Sequence, residues 1–148
     1  MDSSVNRILT CLNELSDEDL YWRPIDSASS LYVLATHTMG NVEENLLGVL
    51  TGQNSQRQRD AEFAAQAGSV EALYQRRAAL QSRVGLALGL VEPSDLDQEH
   101  EHPRRGPLTG RAVLIVGTRH AAEHMGQAEL TRDMLNSASG RALPRQDP

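Results

Sequence analysis

Apolar residues recur along this chain at three- and four-residue steps, the period of helices buried on one face; nowhere do they alternate as in a half-buried strand. Val5, Ile8, Leu9, Leu12 and Leu15 predict a first helix over residues 4–15. Ser16, followed by Asp17, Glu18 and Asp19, reads as the N-cap of a short acidic turn. Pro24 and Asp26-Ser27-Ala28-Ser29 then break the chain. A second helix is predicted over residues 30–50, with Leu31, Leu34, Ala35, Thr38, Val42, Leu46 and Val49 on its apolar stripe and Gly52 placed as a C-cap. Residues 53–67 are polar and read as a long, mobile connection. Ser69 caps a third helix carrying Val70, Leu73, Tyr74, Leu80, Val84 and Leu88, and Pro93 closes that stretch. Residues 92–107, with three prolines and a mixed His/Glu/Arg run, read as a loop. Thr109 caps a fourth helix over residues 110–135.

Four helices, no internal repeat and no second core predict an all-α four-helix bundle with long interhelical connections. Residues 1–136 are assigned to that one domain and residues 137–148 to a frayed or disordered tail. At 148 residues such a domain buries roughly 68–70% of its unfolded surface, enough for a core without staples. Cys11 is a lone cysteine, so an intrachain disulfide is excluded and a reducing, cytoplasmic setting is expected. Residues 1–4 lack the pattern of a secretory signal, and Ala112 to Val116 is far too short for a membrane span.

Charge and composition narrow the chemistry. A formal net charge of −6 argues against nucleic-acid binding, which needs clustered cations. All 14 basic residues are arginine, which excludes Schiff-base and pyridoxal phosphate chemistry. One cysteine excludes dithiol redox chemistry and thiolate-rich metal sites; Cys11 itself reads as a small core residue.

The chemistry-bearing run is His120-Ala121-Ala122-Glu123-His124. Residues four apart on a helix are about 5–6 Å apart at Cβ, so two imidazoles can converge on one ion. Helical phase puts His120 and His124 on one stripe with Val113, Gly117, Ala128 and Leu135, facing the bundle. An unsatisfied buried polar group costs about 1–3 kcal/mol, so the pair needs partners: backbone carbonyls, each other, or a metal. His37 favours the metal. It lies on the second helix beside the apolar stripe, in a seam of Ser30, Val33, His37, Asn41 and Glu44 that suits a cleft between helices. Three histidines from two helices suffice to hold a divalent ion with an open position. His-x-x-Glu-His also matches the inverted zincin protease signature, but that fold needs an acidic ligand well downstream in a larger chain. Only residues 125–148 follow here, with no glutamate beyond Glu129, and that reading is rejected.

Other positions have secondary readings. Asn41 and Glu44 are candidate catalytic residues, as a substrate- or water-orienting amide and a general base, each with an exposed surface role as the alternative. Gln127 is placed to hydrogen-bond a histidine from behind. Glu123 reads as a surface ion-pair partner, Gly126 as a site of close helix packing, and His100 and His102 as solvated loop histidines.

Leu15-Ser16-Asp17-Glu18-Asp19-Leu20 with Trp22-Arg23-Pro24, then Ser30-Leu31 leading to His37, then His120-x-x-x-His124-x-Gly126-Gln127, together resemble the DinB/YfiT-like family of four-helix-bundle metalloproteins over residues 5–136. The resemblance implies that His37, His120 and His124 hold a divalent ion, Zn or Ni first and Fe, Mn or Co next. It implies a metal-dependent enzyme of small molecules, of the thiol S-transferase type, using a low-molecular-weight thiol and forming a homodimer. A hydrolase of the same fold and a non-catalytic, metal-stabilised stress-response or binding module are the alternatives. At 148 residues the chain is expected to lack the extra domain of mycothiol-dependent isomerases.

Overall fold

A computed structural model describes residues 1–55, 57–65 and 68–141. Four long helical elements form the bundle. They are α1 (Asp2–Thr10), α3 (Leu31–Val42) continued by a π-helical segment (Glu43–Leu50), α5 (Val70–Leu88) and α6 (Gly110–Ala138). Between them lie two short helices, α2 (Asp17–Leu20) and α4 (Arg59–Ala64), a 3-10 turn (Pro93–Leu96), and an antiparallel hairpin of β1 (Glu99–His102) and β2 (Gly106–Thr109).

The caps form where side-chain chemistry places them. Ser16 and Asp19 make a reciprocal capping box for α2. Ser30, Ser69 and Thr109 accept from the third residue beyond them at the starts of α3, α5 and α6. The first helix is shorter than predicted: its α-helical part ends at Thr10, and the turns after it carry Glu14 into a left-handed conformation at φ 60°.

α3 is the axis of the molecule. Every one of its residues is buried, and so is most of the π-helical segment. The polar seam is therefore interior rather than an open cleft, with Ser30, His37, Asn41 and Glu44 all buried. Thr36 and Thr38 satisfy their hydroxyls on the carbonyls of Tyr32 and Leu34, 2.9 and 2.7 Å away, which lets polar residues sit inside without orphaned donors. Asn45, fully buried, donates to Asn41 O at 2.9 Å where the helix widens.

α6 runs antiparallel to this axis. Gly110 adjoins Leu50, Gly117 adjoins Asn45, and His120 and His124 adjoin His37. A Cβ on Gly117, one turn before His120, would meet Asn45 Cβ at an ordinary 3.6 Å and crowd only the flexible end of Met1, whose Cε would lie 2.7 Å away.

Two expected loops carry structure. The polar stretch 53–67 contains α4, whose Glu62 is buried. The expected loop 92–107 holds β1 and the first half of β2, and the hairpin runs on to Thr109 in the register Glu99↔Thr109 to His102↔Gly106. Its alternation escaped the apolar pattern because the inward positions are histidines: His102 is buried while Glu99 and Glu101 face solvent. α6 runs past Asn136 to Ala138, and Arg141 N bonds back to Asn136 O at 2.8 Å. The rest of the expected tail, residues 142–148, lies outside the described residues. No helix among the described residues is long and apolar enough to cross a membrane.

Candidate metal centre

His37 on α3 and His120 and His124 on α6 bring one ring nitrogen each to within 4.8 Å of one another. Their ring centroids are 5.0 Å (His37 to His120), 5.0 Å (His37 to His124) and 4.3 Å (His120 to His124) apart, with edge-on orientations. No other group of three metal-ligating side chains converges among the described residues. On α6 the fully buried line is Val113, Gly117, Ala121, Ala128 and Leu135, and the two histidines flank it, half-buried.

The hydrogen bonds show which nitrogens are free. His124 Nδ1 lies 2.7 Å from Gln127 Oε1; an amide oxygen only accepts, so Nδ1 donates and Nε2 keeps its lone pair. His37 Nδ1 lies 3.1 Å from Glu62 Oε2. His120 Nε2 is buried with no hydrogen-bond partner. Burial first, then the neighbouring His124 and His37, push the His120 pKa down to about 3, and burial likewise lowers His124. At neutral pH both are uncharged imidazoles, the form that ligates a metal.

Behind His37 stands a chain of charges that sequence reasoning missed. Arg57 grips Glu62 through Nε (3.0 Å to Oε1) and Nη2 (2.9 Å to Oε2), and reaches Glu44 Oε2 through Nη1 at 3.0 Å. Arg104, from the hairpin, pairs with the same Glu44, its Nη1 at 2.9 Å from Oε1. Burial alone would raise the Glu62 carboxyl, but hydrogen bonds from His37 and Arg57 outweigh it and hold the pKa below the usual range. Phe63 stacks against His37 at 4.6 Å between centroids, with the Arg59 guanidinium 4.9 Å from its ring. The signals were present: Arg59 to Ala65 has helix-forming composition and holds the only phenylalanine, and an interior glycine, Gly40, follows His37 by one turn.

The remaining candidates divide. Asn41 is buried, with Oδ1 accepting from Asn45 Nδ2 at 3.1 Å, and Glu44 is committed to two guanidiniums. Both differ from the exposed reading. Glu123 faces solvent and pairs with Arg119 at 3.2 Å. Gly126 meets nothing within 4 Å, so it makes no close packing. His100 Nε2 donates to Asp95 O at 2.9 Å and His102 Nδ1 accepts from Arg104 N at 3.1 Å, so neither is a solvated loop residue. Cys11 is half-buried, its thiol pushed up to about 11, first by burial and then by Glu129, which makes it a poor nucleophile.

The DinB superfamily profile matches residues 1–128, most of the chain and all three histidines. The chain belongs to the DinB superfamily. Among solved structures, this DinB protein is similar to a conserved protein from Enterococcus faecalis (TM-score 0.72, 18% identity, 92% of each chain covered). It is also similar to a DinB-like protein, YjoA, from Bacillus subtilis (TM-score 0.56, 18% identity, 97% of this chain and 92% of that one). At that identity the likeness concerns the fold. No curated protein matches the sequence. Within the DinB bundle, a cavity of about 360 Å³ bordered by Ser27, Ser29, Leu34, Gln127 and Thr131 adjoins the histidines through Gln127. A second, apolar cavity of about 270 Å³ between α1, the π-helical segment and α5 includes none of the site residues.

Proposed function

We propose that this protein is a metal-dependent enzyme of small molecules, of the thiol S-transferase type, with a divalent ion held by His37, His120 and His124. The observation that carries the reading is the buried, unpartnered Nε2 of His120 beside two further imidazoles. A buried acceptor without a partner costs about 1–3 kcal/mol, and a shared cation satisfies it. The donor set is nitrogen only and neutral, which suits zinc or nickel ahead of the hard, oxygen-seeking cations. Such an ion, when bound, supplies Lewis acidity able to activate a thiol or water near neutral pH.

The chain's own groups do the rest. Gln127 orients His124 and also lines the neighbouring cavity, whose volume suits a small electrophile or thiol. Phe63 covers one side of His37 and keeps water from that ring. On this reading the partners are an electrophilic small molecule and a low-molecular-weight thiol.

Elemental analysis of the purified protein, followed by conjugation of a generic electrophile with several bacterial thiols, tests the reading. One ion per chain and ion-dependent thiol consumption are expected. Ion-dependent hydrolysis without thiol consumption would move the assignment to a hydrolase. Full ion loading with neither reaction would leave a metal-stabilised binding module, and no ion at all would overturn the metal centre.

A further inference from the structure

Glu62 is a carboxylate buried to 6% exposure, and its placement depends on an absence elsewhere. A Cβ on Gly40 would lie 1.8 Å from Glu62 Oε1, 2.8 Å from its Cδ and 3.1 Å from Arg57 Nε. The carboxylate thus occupies the space a side chain on α3 would fill, one turn beyond His37. Glycine inside a helix costs about 1 kcal/mol against alanine, so an interior glycine in the central helix calls for a compensating fit, and this is one.

The chemistry follows from donors and acceptors. Arg57 donates to both Glu62 oxygens, so the carboxylate is ionised and only accepts. The 3.1 Å contact with His37 is attractive only with the proton on Nδ1, and the charge of the carboxylate favours that tautomer. Arg57 Nη2 lies 3.2 Å from the same Nδ1 and would donate to it if that nitrogen were bare. A bare lone pair would then face the ionised Glu62 oxygen at 3.1 Å, a repulsion that the Nδ1 proton turns into a hydrogen bond. A free imidazole prefers its proton on Nε2, which would point an N–H, not a lone pair, at the shared centre.

We propose that Glu62, seated in the Gly40 gap and clamped by Arg57, is the positioning residue of this centre: it holds the His37 proton on Nδ1 and so presents Nε2 as a ligand to a divalent cation. The inference deepens the metal reading above and rests on it. Residues behind the ligands of a metal site fix tautomer and ring orientation, and losing one typically costs 10–100-fold in affinity.

The experiment compares wild-type protein with Glu62→Gln, Glu62→Ala and Gly40→Ala, using two readouts: Zn²⁺ or Ni²⁺ affinity, and the ¹⁵N shifts of the His37 ring nitrogens in metal-free protein. Gly40→Ala leaves Glu62 in the sequence but displaces it, so it and Glu62→Ala should each weaken ion binding ~10–100-fold. Both should move the His37 proton toward Nε2. Glu62→Gln keeps an acceptor and should restore part of both signals. A variant combining Gly40→Ala with Glu62→Ala should bind no more weakly than either single alanine variant, because both break one interaction. Wild-type affinity and an unchanged Nδ1–H signal in the two alanine variants would overturn the inference. If wild-type protein binds neither ion, the metal reading falls, while the ¹⁵N signals still decide whether Glu62 sets the proton. Should Glu62→Ala not fold, Gly40→Ala and Glu62→Gln carry the test, since only the flexible end of a side chain must move to admit the new methyl.

Discussion

The five histidines of this chain fall into two groups that look alike in sequence and differ in chemistry. His120 and His124 share a helical face; His100 and His102 share the inward face of a strand. In the hairpin, His100 spends Nε2 on Asp95 O and His102 spends Nδ1 on Arg104 N, so one ring ties the strand to the preceding 3-10 turn and the other holds the hairpin turn. On the helices, Gln127 and Glu62 engage the Nδ1 of His124 and His37 from behind, and His120 Nε2 is left buried and bare. Spacing brings histidines together. What separates a candidate ligand from a structural residue is which nitrogen the protein leaves unsatisfied.

The sharpest way to break the comparison is to remove one ring from each group. His120→Ala should abolish ion binding, read as stoichiometry by elemental analysis. It should also abolish the ion-induced rise in Tm, expected at about 5–10 °C with the ion near a hundredfold above Kd. His102→Ala should leave stoichiometry unchanged but lower stability by about 2–4 kcal/mol, because it opens a cavity and strands the Arg104 N–H. Chemical denaturation of both variants measures this; ion loss in His102→Ala would dissolve the distinction.

Acidification sharpens it further. Burial holds the folded-state pKa of His102 below its ordinary 6.5, so below that pH the unfolded chain binds more protons than the folded one. The contribution is intact above pH 6.5 and declines as pH falls through it. Protonation of Nδ1 also removes the acceptor for Arg104 N. Hydrogen exchange at that amide, corrected for intrinsic rate, should therefore speed up as the pH is lowered below 6.5 and the ring protonates. Exchange that stays flat would remove His102 from the turn. The smallest expected effect is at Gly126: with open space around it, Gly126→Ala should raise stability by about 0.5–1 kcal/mol and leave ion affinity untouched.

Much of this was legible in the residues. The bundle could be read because its apolar steps have helical period and because Ser16, Ser30, Ser69 and Thr109 cap as their side chains dictate. The histidine trio could be read because two of its members are four apart on one helix. The hairpin could not, since its buried face is built of histidines rather than apolar residues. Arg57 and Glu62 could be read only in part: the helical composition of Arg59 to Ala65 is visible, but the pairing that lets Glu62 go inside is a tertiary fact. The burial of Glu44 is hidden for the same reason, since its two arginines come from elsewhere in the chain.

The π-helical segment has a consequence for how the chain can change length. Such a stretch holds more residues per turn than an α-helix, so Glu43–Leu50 stores surplus backbone. Deleting one residue there would tighten the stretch toward ordinary helix while His37 ahead of it keeps its bearing. The same deletion between Leu31 and His37 would swing that ring by about 100° relative to the start of the helix. The molecule thus keeps its slack for insertions and deletions in the portion of the central helix that bears no histidine.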